Sequence, residues 1–460
     1  MTEPLTVERP ARVKPASAQL AAPWFFPVLS VFVVLGVLFR ILYSVIWEWS
    51  TPVQGDPEWY QQTAASLVHG DGFAATFLGS RSPEATALHP PVFSIVLAVL
   101  DLLRLSSVDA HRIALAFISA GTIVGMALVG RRLMGPTTGI VAAGLAALSP
   151  LWVQWGGRLL SESVYLVVIP ILLWLALDCV DRPGWRTFAA AGVAVGLAAL
   201  TRSEGLWFVV LLGIPLVFMG SRDWSQRVKY GMALLAGVVL FVGPWVVRND
   251  IQLGGLTLST NSGPTLAGAY NPATFSPASP WYGSFSQATQ VVLAVTTLKL
   301  EKPPDHAKTW SEFPFYGALG NAGKTYASQH LNDLPGVVLA REGRIWGVYS
   351  IGTQLVMDTE DGGQVPDFFV AGRFVEWIAL PMTLAGGIIL GRISRRHLLI
   401  LVVPILVAAL DAAVFYGSTR LRVVAEPSMF LLSSVALVAA FRWIRTWTRD
   451  RAISMHQVGG

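Results

Sequence analysis

Between positions 48 and 91 the chain sets Gly55-Asp56-Pro57-Glu58-Trp59-Tyr60, His69-Gly70-Asp71-Gly72-Phe73 and His89-Pro90-Pro91 in quick succession. Ionisable groups are costly beside a bilayer, so a cluster kept next to a long apolar run points to a functional site. Asp56 is the centre of that reading. A carboxylate at the end of a span can take the proton of an incoming hydroxyl as a general base, given hydrogen-bond reach. Gly55 lets the chain turn, and Pro57 fixes the backbone behind the acid. Gly-Asp-Pro is also an ordinary loop signal, so Asp56 draws its meaning from its company. Glu58 is the second candidate acid, and the two together could hold a hard divalent ion with phosphate oxygens completing its shell.

Further polar groups recur at the ends of other apolar runs. Arg40 lies within about two turns of the end of the first span, where a guanidinium must be paired or snorkel; its planar fork also suits a phosphate. His89 could donate to a phosphate or assist proton transfer. Arg158 precedes Ser161-Glu162-Ser163, and Glu162 opens a span, where a carboxylate also suits the helix dipole. Arg202 and Glu204 flank a loop so short that both must sit at the membrane face, as reactive groups or as a plain interfacial pair. Arg248-Asn249 follow Pro244-Trp245, and Asn261 lies in a Ser/Thr/Gly-rich stretch. Arg420 and Arg422 precede Glu426, which could equally pair with them. Asp411 lies inside an apolar run with no sequence partner. Several cations around one pocket argue for an anionic ligand, a phosphate first among them.

These groups need a holder, and composition identifies it. Only 13% of the 460 residues are charged and 53% are hydrophobic, against about 25% charged in a soluble domain. The chain reads as an all-α polytopic membrane protein. Its net charge of +5 lies in short clusters between apolar runs, the pattern of orientation signals and not of a nucleic-acid-binding face. The single Cys179 excludes an intramolecular disulfide. Arg9, Arg12 and Lys14 precede a first run too long for a signal-peptide core, which is read as a retained span.

Ten runs approach spanning length, at 24–46, 111–130, 137–153, 162–180, 187–201, 204–220, 229–247, 368–391, 397–417 and 427–442. A shorter one, 92–103, is interrupted by Asp101. If it does not cross, Arg131-Arg132, Arg182 with Arg186, Arg222 to Lys229, Arg392 with Arg395-Arg396, and Arg442 to Arg451 all fall on one side with the N-terminus. Short cytoplasmic loops carry the Lys/Arg excess, so that side is read as the cytoplasm and 92–103 as a helix at the outer surface. The expected organisation is a cytoplasmic tail at 1–22, then a transmembrane core at 23–247 with a first external loop at 47–110. An external loop region at 248–366, C-terminal spans at 367–445 and a cytoplasmic tail at 446–460 complete it. Both tails are expected to lack order. Every polar constellation described above then faces outward.

In order along the chain, Gly55-Asp56…Tyr60…Gly70…Gly72-Phe73, His89-Pro90-Pro91, Gly157-Arg158-Leu159-Leu160-Ser161-Glu162 and Ala199-Leu200-Thr201-Arg202-Ser203-Glu204-Gly205 are followed by Pro244-Trp245-Val246-Val247-Arg248-Asn249, Ser259-Thr260-Asn261-Ser262-Gly263 and Asn271-Pro272. With these motifs the chain resembles the bacterial branch of the GT-C-fold integral-membrane glycosyltransferases, the protein-mannosyltransferase and aminoarabinose-transferase-like superfamily. The resemblance implies about ten transmembrane helices with juxtamembrane external helices and one larger external loop region. It also implies a polyprenyl-phosphate-linked sugar donor, inverting transfer at the outer face of the cytoplasmic membrane, and Asp56 as the base. The family often has a second acid directly after the first, whereas here Pro57 intervenes before Glu58. Its last external loop usually carries an aromatic beside its arginine, which Thr419-Arg420-Leu421-Arg422 lacks.

The residues are compatible with that chemistry. A sugar phosphate already carries a good leaving group, which needs charge stabilisation by Arg40, His89, Arg158, Arg202, Arg248, Arg420, Arg422 or a metal more than it needs protonation. The acceptor, a lipid, glycan or protein hydroxyl, needs the base. The competing class is a transporter or flippase for an anionic lipid-linked sugar. Transporters tend to place binding groups near the midplane of duplicated halves; here they gather at one face and no repeat is found.

Overall fold

The computed structural model describes residues 22–76, 83–286, 312–360 and 365–458. The N-terminal cations Arg9, Arg12 and Lys14 lie outside them. The first run forms α1 (Phe25–Tyr43), drawn out by a π-helical turn over Ser44–Glu48. Next come α2 (Asp56–His69), a two-residue antiparallel ribbon of β1 (Ala74–Ala75) with β2 (Glu84–Ala85), and α3 (Val92–Leu102). The core follows as α4 (Val108–Ile118), α5 (Ala120–Met134), α6 (Pro136–Leu148), α7 (Pro150–Gly156), α8 (Glu162–Asp181) and α9 (Trp185–Thr201). A 3-10 turn at Ser203–Leu206 leads through a π-helical stretch into α10 (Ile214–Gly220), then the long α11 (Trp224–Leu253).

All ten apolar runs are helical. Among the described residues eight helices are long and apolar enough to cross a membrane, nine if the bent pair α6–α7 counts as one span. The tenth, α9, has 17 residues. The short run at 92–103 is the 11-residue α3, about 16 Å of helix and too little to cross the apolar layer.

The stretch at 248–366 differs from the loop expected. It holds α12 (Ser262–Ala269), α13 (Pro272–Phe275), α14 (Glu312–Gln329), α15 (Leu334–Ile345) and α16 (Ile351–Glu360). Small residues and prolines concealed these short helices, whose stability comes from packing. The chain closes with α17 (Pro366–Ile393), α18 (Arg395–Val414), a 3-10 turn at Thr419–Val424, and α19 (Glu426–Val458). The C-terminal tail, expected to lack order, continues α19 as helix to Val458.

The bend between α6 and α7 is 65° and follows from Pro150. Proline has no N–H, so the carbonyl of Ala146 loses its helical donor, and the extended Ser149 denies Ala147 its own. Arg40 supplies both: it donates from Nη2 to Ala146 O at 3.0 Å and from Nη1 to Ala147 O at 3.4 Å and Gly36 O at 2.8 Å. It is 1% exposed. Arg40 therefore caps a broken helix, and three backbone carbonyls occupy the guanidinium that the sequence reading offered to a phosphate. Replacing it by methionine leaves those carbonyls unpaired in an apolar surround, costing about 2–4 kcal/mol. Arg40→Met should melt several degrees below the wild type in a detergent thermal-shift assay, and an unchanged melting temperature would reject this role.

The helix ends sort by charge. Arg132, on the last turn of α5, reaches Asp178 and Asp181 at the end of α8, both at 2.8 Å, and His397 at the start of α18 meets Asp181 at 2.9 Å. Gly220, before the Arg222–Lys229 loop, packs near Cys179 on the same side. The basic loops thus lie at the far end of α8 from Glu162, about 30 Å away along its 20 residues.

Candidate active site

Asp56 is the first residue of α2, and the geometry before it can be made only by glycine. Gly55 has φ 68° and ψ −131°, a region closed to side chains. That turn swings the carboxylate back under the helices. His89 Nε2 meets Asp56 Oδ1 at 3.1 Å, and Arg420 Nη1 meets Asp56 Oδ2 at 2.7 Å. His89 is clasped by Trp59 and Tyr60, with ring centroids 5.0 and 5.1 Å away, and Pro90-Pro91 deliver it to the head of α3.

Arg420 sits on the 3-10 turn after α18 and donates through Nε to Glu162 Oε1. Glu162 opens α8 with no exposed side-chain surface and accepts from Arg202 on the same oxygen at 2.5 Å. Arg202 ends α9 and also grips Glu204. That second grip requires the 3-10 turn to fold flat against α9, and Gly205 permits it: a Cβ there would lie 2.4 Å from the Ala198 carbonyl carbon. A continuous chain results, His89–Asp56–Arg420–Glu162–Arg202–Glu204, drawn from segments hundreds of residues apart. Burial alone would raise the Asp56 carboxyl, but His89 and Arg420 outweigh it and hold the group well below the usual carboxylate range. Arg420 is the converse: burial would lower it, and Glu162 with Asp56 raises it well above normal.

Two tyrosines complete the wall. Tyr60, one turn beyond Asp56 and so on the same face of α2, is buried, and burial raises its hydroxyl. Tyr416 feels both Arg420 and Asp56, and burial pushes its hydroxyl up to about 12. It stands four positions before Arg420 in sequence. Asp411 is buried, near the Arg202–Glu204 pair.

The remaining candidates lie elsewhere. Glu58 is exposed and accepts from Gln62 at 3.2 Å, so it does not join Asp56. Arg158 pairs with Glu48 at 3.4 Å, in a separate cluster with Arg112 and Asp109 that fastens α1 to α4. Arg248 donates to Phe73 O at 2.6 Å and Thr86 O at 2.9 Å, stapling the β-ribbon to α11. Asn249 donates to Thr257 O at 2.8 Å. Asn261 caps the approach to α12 through its backbone. Arg422 bonds Glu376 at 2.6 Å, Glu426 at 3.0 Å and Ile345 O at 2.7 Å. Side chains two positions apart on a 3-10 turn point in different directions, so Arg422 joins a second buried network with Arg373 and Trp152. Among the described residues no group of three His, Cys, Asp or Glu side chains is placed to hold a metal ion.

A groove of about 1150 Å³ opens between α17, α18 and α19, lined by Leu380, Leu384, Ile388, Leu398 and Leu432. It lies away from Asp56. It reaches Arg392 and Arg395, and shares Met429 with a small cleft beside Arg422 and Glu426.

The family model for dolichyl-phosphate-mannose-protein mannosyltransferases matches residues 88–247, a segment that contains His89, Glu162, Arg202 and Glu204. No curated protein matches the chain. Among solved structures, the Archaeoglobus fulgidus oligosaccharyltransferase in complex with zinc and sulfate is similar with TM-score 0.56 and 14% identity, over 91% of this chain and 50% of that one. The A. fulgidus oligosaccharyltransferase AglB in complex with an inhibitory peptide and a dolichol-phosphate gives 0.54 and 14%, over 94% and 52%. ArnT from Cupriavidus metallidurans bound to undecaprenyl phosphate gives 0.40 and 16%, over 91% and 77%. The chain spans about half the length of the oligosaccharyltransferases it matches. The fold is all-α, polytopic and GT-C-like, as in those oligosaccharyltransferases.

Two outcomes follow. Glu162→Gln leaves two guanidiniums buried against a neutral amide, and should cost about 3–5 kcal/mol; equal thermal stability would show that the charge is dispensable. For Asp56, whose folded value lies below the unfolded 3.8, the stabilisation is complete above that value and is lost as pH falls below it. Melting temperatures taken from about pH 5 to about pH 3 should therefore drop less steeply for Asp56→Asn than for the wild type.

Proposed function

We propose that the protein is an inverting glycosyltransferase that takes a sugar from a polyprenyl-phosphate donor and delivers it to a hydroxyl of a lipid, glycan or protein. Transfer occurs at the outer face of the cytoplasmic membrane. The observation that carries this reading is Asp56: a partly exposed carboxylate at one membrane face, in contact with a histidine and with a guanidinium suited to phosphate. The family match supports a phosphate-linked sugar donor, and the dolichol-phosphate held by AglB supports a long-chain lipid carrier.

In the reaction the acceptor O–H gives its proton to Asp56 while its oxygen bonds the anomeric carbon. The bond from that carbon to the phosphate oxygen breaks, and its electron pair leaves with the lipid phosphate. Arg420 stabilises the departing charge, which is the larger need, because phosphate is already a competent leaving group. Glu162 and Arg202 hold that guanidinium in place. The separation of the Asp56 cluster from the basic loops, together with the Lys/Arg rule, supports the outward orientation.

The test is a panel of polyprenyl-phosphate sugars incubated with the purified protein, with mass analysis of the donor consumed. Asp56→Asn should lower turnover by about 10²–10⁴-fold, and full turnover in that variant would remove Asp56 as the base. Reporter fusions after Arg132 and Arg396 should both read cytoplasmic; an external signal from either would reverse the site.

A further inference from the structure

Arg420 has two carboxylate partners, and they differ in freedom. Glu162 has no exposed side-chain surface, begins α8, and is also held by Arg202 and by Ser161 at 3.4 Å. Asp56 is 31% exposed and sits on a glycine turn at the head of α2. Arg420 itself is 22% exposed. Of the two, Asp56 is the partner that can leave.

With Asp56 on Arg420, the site has two handicaps. The guanidinium intended for phosphate already serves two carboxylates, and the carboxylate intended as base is bound to a guanidinium. A carboxylate so engaged has little affinity for a proton, which opposes general-base catalysis. One movement removes both.

Resting on the lipid-phosphate reading above, we infer that Arg420 exchanges partners during turnover: the donor's phosphate displaces Asp56 from the guanidinium, and the released Asp56 becomes the base. Glu162 stays and keeps Arg420 aimed. His89, bonded to the other Asp56 oxygen, retains the freed carboxylate near the acceptor. The base is thereby activated only when a donor is seated, so a hydroxyl, water included, meets an active Asp56 only in the presence of its reaction partner. A phosphate that bound Arg420 alongside Asp56, on the remaining nitrogen, would give no such coupling. The two arrangements differ in one respect, namely competition between Asp56 and phosphate.

Undecaprenyl phosphate is the probe, titrated onto the full-length protein in lipid nanodiscs. Exchange requires Asp56→Asn to bind it more tightly, by about tenfold for the loss of one competing ion pair. Equal or weaker binding by a folded Asp56→Asn overturns the exchange and leaves the glycosyltransferase reading standing. No binding by either form overturns that reading and the exchange with it. A second measurement needs no variant: carboxyl labelling of the wild type, read by peptide mass analysis with exposed Glu58 as reference. Labelling at Asp56 should rise severalfold when undecaprenyl phosphate saturates the protein, and an unchanged rate overturns the proposal.

Discussion

A single buried carboxylate, Glu162, held between Arg202 and Arg420, is the constraint on which the rest of the site depends. Removing a charge from water costs several kcal/mol, which is recovered only with close, well-placed partners. The fold meets that condition by bringing the start of α8, the end of α9 and the turn after α18 to one point. Once those three ends are tied, Arg420 has a fixed position, and Asp56 on the far side of it has a fixed partner. The helices position the charges, and the charges in turn hold the helix ends in register.

The same logic governs the other arginines. Arg40 compensates for Pro150, Arg248 fastens the β-ribbon, and Arg422 gathers α17 and α19 with the carbonyl of Ile345. Each guanidinium offers five donors in a rigid fork, and each is spent on carbonyls or carboxylates where helices stop short. Arg420 differs from these in having a carboxylate partner, Asp56, that is itself 31% exposed.

Much of this was legible in the sequence. The membrane class, the ten helical runs, the short α3, and Asp56, His89, Glu162, Arg202 and Arg420 as candidates, which the structure brings together, all followed from charge and hydropathy at apolar boundaries. Sequence reasoning could not separate these from Arg40, Arg158, Arg248 and Arg422, because a guanidinium at a helix end looks the same whether it binds a ligand or a carbonyl. The distinction lies in contacts across a hundred or more residues, such as Arg40 to Ala146. Tyr60 could have been found, since it stands four positions after Asp56 on one helical face. Glu376 and Arg373, by contrast, become partners of Arg422 only through tertiary packing, and α12–α16 were hidden by a composition that favours loops.

The 3-10 turn at Thr419–Val424 carries Arg420 toward the acids and Arg422 toward α17 and α19. Three residues complete a revolution of such a turn, so one residue inserted or deleted within it would rotate everything downstream by about 120°. Neither guanidinium could then be restored without misplacing the other, because one rigid screw serves both. Length variation is therefore tolerable in the exposed connections of this protein and intolerable over these six positions, where the spacing of the residues matters as much as their identity.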